Sequence, residues 1–219
     1  MQKVMRDTAI RLMQGGQVPS VSDVAEAAGV SRATAYRHFP SQAAIVQAAV
    51  NEALGPILDW ASSSPDAEER ISELLAFAYP RLMRHEATHR AAMRLALEQW
   101  ARRQAGTLGA ETRIVRGNRK MLLTAAAQPL SGKITKQTFD NLTQSLSLLF
   151  GVEAIIVLKD IWGLDDRGAQ HVATWAAEAL VRAATAETAA ASDKRPVRGA
   201  NHNAASRPRK AGRVSKQRQ

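Results

Sequence analysis

The 219-residue sequence predicts an all-α fold of about nine helices, a small N-terminal cluster followed by a larger helical body. Three observations point there. Apolar side chains recur at three- and four-residue spacing along almost the whole chain, the period of a helix with one buried face. Alternating β-branched runs, the mark of half-buried strands, are scarce. Clusters of glycine, proline and serine interrupt the periodic stretches where helices would need to end. Hydrophobic residues make up 45% of the chain, enough for a real core.

The first helix is expected over about 2–14, with Met5, Ala9, Leu12 and Met13 on one side and Gly15-Gly16 to stop it. Ser20-Val21-Ser22-Asp23 has the spacing of a capping box, in which Ser20 and Asp23 satisfy free N–H groups at a helix start. The short helix it opens carries Val21, Val24, Ala25 and Ala28 on one face, and Gly29 turns the chain. Ser31 is placed to cap a third helix, Arg32–His38, with Val30 and Ala35 turned back toward a small core. Phe39-Pro40-Ser41 ends that helix and caps a fourth. Longer helices follow at about 42–61, 66–83, 86–103, 109–127, 136–160 and 166–190. Ser62 to Pro65, Gly106 and Gly109, Pro129 to Gly132, and Gly163 mark the breaks.

Helix, glycine turn, helix over Val21 to Phe39 is the geometry that lets a second helix enter a DNA major groove while the first braces it. The residue types fit that use. Arg32 and Arg37 can grip phosphate, or take a guanine edge with two hydrogen bonds; Ser31, Thr34 and Tyr36 offer hydroxyls; His38 can donate to phosphate. Large polar side chains on a helix of seven or eight residues leave little apolar face for packing alone.

The stretch Val21 to Ser41, with its Ala28-Gly29-Val30-Ser31 turn, Thr34-Ala35-Tyr36-Arg37-His38-Phe39 and capping Ser41, resembles the N-terminal signature of the TetR family of bacterial transcriptional regulators. Two positions depart from the family pattern. Gln42 stands where a phosphate-gripping lysine is usual, and Ala35 where a larger leucine is common. The resemblance implies DNA-contact roles for Thr34, Tyr36 and His38, a homodimer, a small-molecule effector and a repressor. The DNA-facing set is then Ser20, Ser22, Ser31, Arg32, Thr34, Tyr36, Arg37, His38 and Gln42, within a DNA-binding domain at 1–45.

Residues 46–191 are expected to form an effector-binding and dimerisation domain. Phe139, Leu142, Leu146, Leu149 and Phe150 make one apolar stripe, and Val172, Trp175, Ala176 and Ala179 another. Both are expected to pair across a two-fold into a four-helix interface, as in the family that the N-terminus resembles, with packing into the subunit's own core as the alternative. His89, Met93, Ala96 and Trp100 share one helix face, and with Trp162 they are candidates to line a pocket for a hydrophobic ligand; ordinary core packing would use the same residues. Arg94, Glu98, Arg113, Arg116 and Asn118 read as solvated or paired, with one of them a possible pocket residue. His85 and His89 lie four apart with no obvious third ligand, so no metal and no cofactor are expected.

The formal net charge of +10 is uneven. Residues 192–219 hold nine Lys/Arg against Asp193 alone, whereas the rest holds 21 basic and 19 acidic side chains. This Pro-, Gly-, Ser- and Asn-containing segment reads as a disordered basic tail, either merely solvated or adding nonspecific DNA affinity through counterion release. Cysteine is absent, which excludes disulfides and thiolate chemistry. The apolar run Leu148 to Leu158 is interrupted by Glu153 and too short to span a bilayer. The N-terminus has no apolar signal region. These features read as cytoplasmic with no membrane partner.

No glycine-rich phosphate loop, nucleophile elbow or metal-protease helix is present, so an enzyme is not expected. The reading is a ligand-responsive regulator of double-stranded operator DNA. The alternatives are a ligand-independent dimeric DNA binder, or an all-helical enzyme using His85, His89 or His171.

Overall fold

Three serines set the N-terminal helices. In the computed structural model, which describes residues 1–115 and 117–193, α1 spans Gln2–Gln14, α2 Val21–Ala27, α3 Arg32–His38 and α4 Gln42–Leu54. Ser20 Oγ accepts the Asp23 N–H at 3.1 Å while the Asp23 carboxylate takes the Ser20 N–H at 2.8 Å, the expected capping box. Ser31 Oγ accepts from the Thr34 N–H and Ser41 Oγ from the Ala44 N–H. Each such cap stabilises a helix by about 1 kcal/mol. Gly29, at φ 64°, makes the left-handed turn between α2 and α3 that a side chain would resist.

These four helices close over Met5, Met13, Val21, Val24, Ala35 and Ile45, all buried. Ala91 and Leu95 of a later helix complete the cluster, so the N-terminal core borrows from the body and extends past residue 45.

The body consists of α5 Ala67–Arg84, α6 Glu86–Gln104, α7 Asn118–Ala127, α8 Lys136–Leu149, α9 Val152–Ile156 with a π-helical turn Val157–Ile161, and α10 Asp166–Asp193. Among the described residues there is no strand. α5 and α10 run antiparallel, since Arg182 pairs with Glu68 while Ser72 donates to Glu178. Ala169, Ala173, Ala177, Val181 and Ala184 form the buried face of α10; small side chains let the α10 backbone approach α5 closely. Tyr79 is buried at the centre and donates its hydroxyl to the Leu149 carbonyl.

Three expected helices are shorter than the periodicity suggests. The helix expected over 42–61 stops at Leu54, because Arg81 donates to the carbonyls of Glu52, Ala53 and Leu54 and Gly55 turns away at φ 47°. The helix expected from 109 begins at Asn118. Before it, Gln99 accepts the Ile114 N–H and donates to the Thr112 carbonyl, both at 3.0 Å, and Gln47 accepts the Val115 N–H at 2.8 Å. The helix expected over 136–160 breaks at Gly151, where φ reaches 125°. α10 instead runs on to Asp193. Most of the expected basic tail, residues 194–219, and Arg116 lie outside the described residues.

The two apolar stripes separate. Leu142, Leu146 and Phe150 are buried in the subunit's own core, with Phe139 and Leu149 packed against it, because α8 lies across α7 and α10. That stripe is therefore not an outward face. On α10, Val172 and Trp175 do point outward, Trp175 being 62% exposed.

His89 is 8% exposed and its Nε2 has no hydrogen-bond partner; His85 Nδ1 is likewise buried and unpartnered. Burial first, then His85 and Arg81, push the His89 imidazole down to about 4, against a smaller opposing pull from Glu153. No group of three or more potential metal ligands lies near them or elsewhere among the described residues.

A neutral buried histidine stabilises the fold above the unfolded-chain pKa near 6.5 and progressively less as pH falls toward 4. Between pH 7 and 4.5 the wild type should lose about 2–3 kcal/mol more stability than His89→Leu in urea unfolding. Equal losses would show that His89 does not titrate differently in the two states. Gly55→Ala would press a Cβ into the Arg81 guanidinium at a positive φ. It should lower stability by about 1–3 kcal/mol in the same assay.

Candidate nucleic-acid interface and body cavity

Only one side chain of α3, Ala35, is buried. Everything else on the helix faces solvent or lies at its edge. Arg32, Tyr36 and Arg37 are exposed, Tyr36 by 47%; Thr34 and His38 are half-buried. α3 has no acid in its first turn, and Arg37 and His38 stand in its last turn, where the helix dipole favours positive charge.

Short polar side chains fix this face. Ser31 Oγ accepts the Thr34 N–H and gives its own proton to Thr34 Oγ1 at 2.9 Å. The Thr34 hydroxyl proton is thereby left to donate outward. Tyr36 Oη lies 3.4 Å from Ser22 Oγ, tying the recognition helix to α2. Ser20 and Gln42, both expected at the DNA face, also make hydrogen bonds within the fold. Ser20 holds the α2 cap, and the Gln42 amide donates to the carbonyls of Val18 (3.0 Å) and Pro19 (3.4 Å). Through these bonds Gln42 links the α1–α2 connection to the start of α4.

A cavity of about 100 Å³, room for several waters, lies between α4, α6, α7 and the α8–α9 break. His89 and Met93 line it, as expected. Trp100 and Trp162 do not, being 54% and 72% exposed. The buried face of α6 runs through Thr88, Ala91, Leu95 and Gln99, which leaves Trp100 about 100° further round, toward solvent. Trp162 stands at the outer end of the π turn, just before Gly163. Of the polar residues considered earlier, Asn118 lines the cavity, while Arg94 pairs with Glu98 at the surface.

Sequence reasoning missed most of the lining. Val50 and Leu54 of α4 contribute, as do Ile114, Val115, Gly117 and Arg119, and Phe150 with Val152. The only available signal was glycine: Gly117 precedes α7 and Gly151 breaks α8 from α9. Arg119 lies across Gly151, donating to Ser147 O and to both Glu153 oxygens at 2.7 and 2.8 Å. No single helix among the described residues is long and apolar enough to cross a membrane.

Residues 6–49 match the family model described as bacterial regulatory proteins, tetR family. No curated protein and no solved structure matches the chain. The match falls on the four N-terminal helices, whose Ser-capped α2, Gly29 turn and polar, outward α3 form the DNA-reading unit. The four N-terminal helices are thus a helix-turn-helix unit similar to that of the tetR family of bacterial regulatory proteins, and the chain that carries it is a DNA-binding transcriptional regulator.

Proposed function

We propose that the protein is a homodimeric repressor that reads operator DNA through α3 and releases it when a small, largely apolar molecule fills the body cavity. The course of α4 carries this reading. Ile45, Val46 and Ala49 belong to the N-terminal core, and Val50 and Leu54, on the next turn, wall the cavity. A ligand that prefers one setting of α4 over another biases the placement of α3, and only such a difference in affinity can do so.

In this reading Arg32 and Arg37 engage phosphate or guanine edges, Tyr36 and His38 engage phosphates, and Thr34 donates its free hydroxyl proton. Ser22 and Ser31 hold Tyr36 and Thr34 in place. The DNA-reading unit ends within α4, and the remaining helices serve effector binding and dimerisation in the cytoplasm. Two recognition helices must sit about 34–36 Å apart to reach successive major grooves. The outward face of α10 around Val172 and Trp175, beside the exposed Leu148 and Val157, supports the two-fold contact that sets this distance.

Selection of bound DNA fragments identifies the operator, and a small-molecule screen for release then tests the effector. Tyr36→Ala and Arg37→Ala should each weaken operator binding by about 5- to 150-fold, the loss of a 1–3 kcal/mol contact. Unchanged operator affinity in both variants would remove α3 from the interface. Trp175→Glu should sediment as a monomer and lose operator affinity; a dimer that persists would place the two-fold elsewhere.

A further inference from the structure

The cavity has a polar end as well as an apolar body. At that end α7 begins at Gly117, which has no side chain to cap it, and no acid stands in its first turn. The leading N–H groups of a helix have no partner within it and carry the positive end of its dipole. Gly117, Asn118 and Arg119 all line the cavity. A second observation points to the same space. His89 lines it too, more than nine-tenths buried, with its Nε2 unpartnered. A guest that hydrogen-bonds to such an atom is favoured over one that leaves it unpaired.

The surrounding charges decide the sign of the guest. Arg119 is already neutralised by Glu153. Of the ionised groups that act on His89, Arg81 opposes a positive charge more strongly than Glu153 favours one. The uncapped helix start adds further positive potential. An anion fits this field and a cation does not.

We propose that the cavity takes an amphipathic carboxylate. Its apolar chain lies against Val50, Leu54, Leu82, Leu122 and Phe150; its carboxylate accepts from the first N–H groups of α7 and from Nε2–H of a neutral His89. The inference rests on the effector reading above and names the chemistry of its ligand.

The test uses the full chain and three probes of equal length, octanoate, octanamide and octan-1-ol, followed by calorimetry without DNA and by operator release. Octanoate should bind at least tenfold more tightly than either neutral probe. Asn118→Asp, which places a carboxylate at the start of α7, and His89→Leu should each bring the octanoate-to-octanol affinity ratio toward one. Equal affinities for octanoate and octan-1-ol, or no octanoate binding at millimolar concentration, would overturn the assignment. An unchanged ratio in both variants would overturn it as well. Octanoate that binds but leaves operator affinity intact supports the site and overturns the effector reading. Operator release by octan-1-ol without octanoate binding does the reverse.

Discussion

Arg81 reaches from α5 to the end of α4 and donates to three successive carbonyls there, those of Glu52, Ala53 and Leu54. These are acceptors the helix itself leaves without partners, at its negatively polarised end. The guanidinium therefore ends α4, fixes where the chain turns at Gly55, and binds the helix to the body. On the other side, Arg6 of α1 pairs with Glu52 at 3.2 Å. One helical turn is thus held from both the DNA-reading unit and the body. The position of α3 relative to the cavity follows from that double attachment.

The irregular segment ahead of α7 completes the link. Backbone polar groups outside helices need partners of their own, and two glutamine side chains supply them: Gln99 from α6 and Gln47 from α4. Arg102 adds an ion pair to Glu111 at 2.6 Å. Ile114 packs on the N-terminal core, and Ile114, Val115 and Gly117 wall the cavity. This stretch is a strap that touches α4, the cavity and the N-terminal core at once. A second set of charges steadies the far side, where Arg90 pairs with Glu86 and Asp160, and Lys159 with Glu86 and Asp166.

What was legible in the sequence was local. Ser20, Ser31 and Ser41 announce helices because a cap acts within three residues of itself, and the Met5–Met13 and Val21–Ala25 faces follow from helical period alone. What was not legible depends on partners distant in sequence. Gly55-Pro56 beside Leu54 is a local stop signal that helical period overrode, and the partner that secures the end, Arg81, lies 27 residues later. The stretch Thr112 to Val115 looks compatible with a helix until Gln47 and Gln99 take the amides of Ile114 and Val115. Trp100 illustrates a finer limit. Its face is apolar by period, yet a rotation of α6 by one residue puts Gln99 inside and the indole outside. The stripe on α8, expected at a two-fold interface, is core instead, because α7 and α10 pack around it and period alone does not distinguish the two.

The recognition helix has one fully buried side chain, the methyl of Ala35, with Phe39 just beyond its end. Its outward positions therefore contribute little to folding, and exchanging exposed side chains typically alters stability by no more than about 0.5 kcal/mol. Binding preference and structural integrity are written on different residues. Such a helix can drift toward new operators by single steps, each passing through a folded protein, so a duplicated copy of this gene could acquire a new regulon without first acquiring compensating changes in its core.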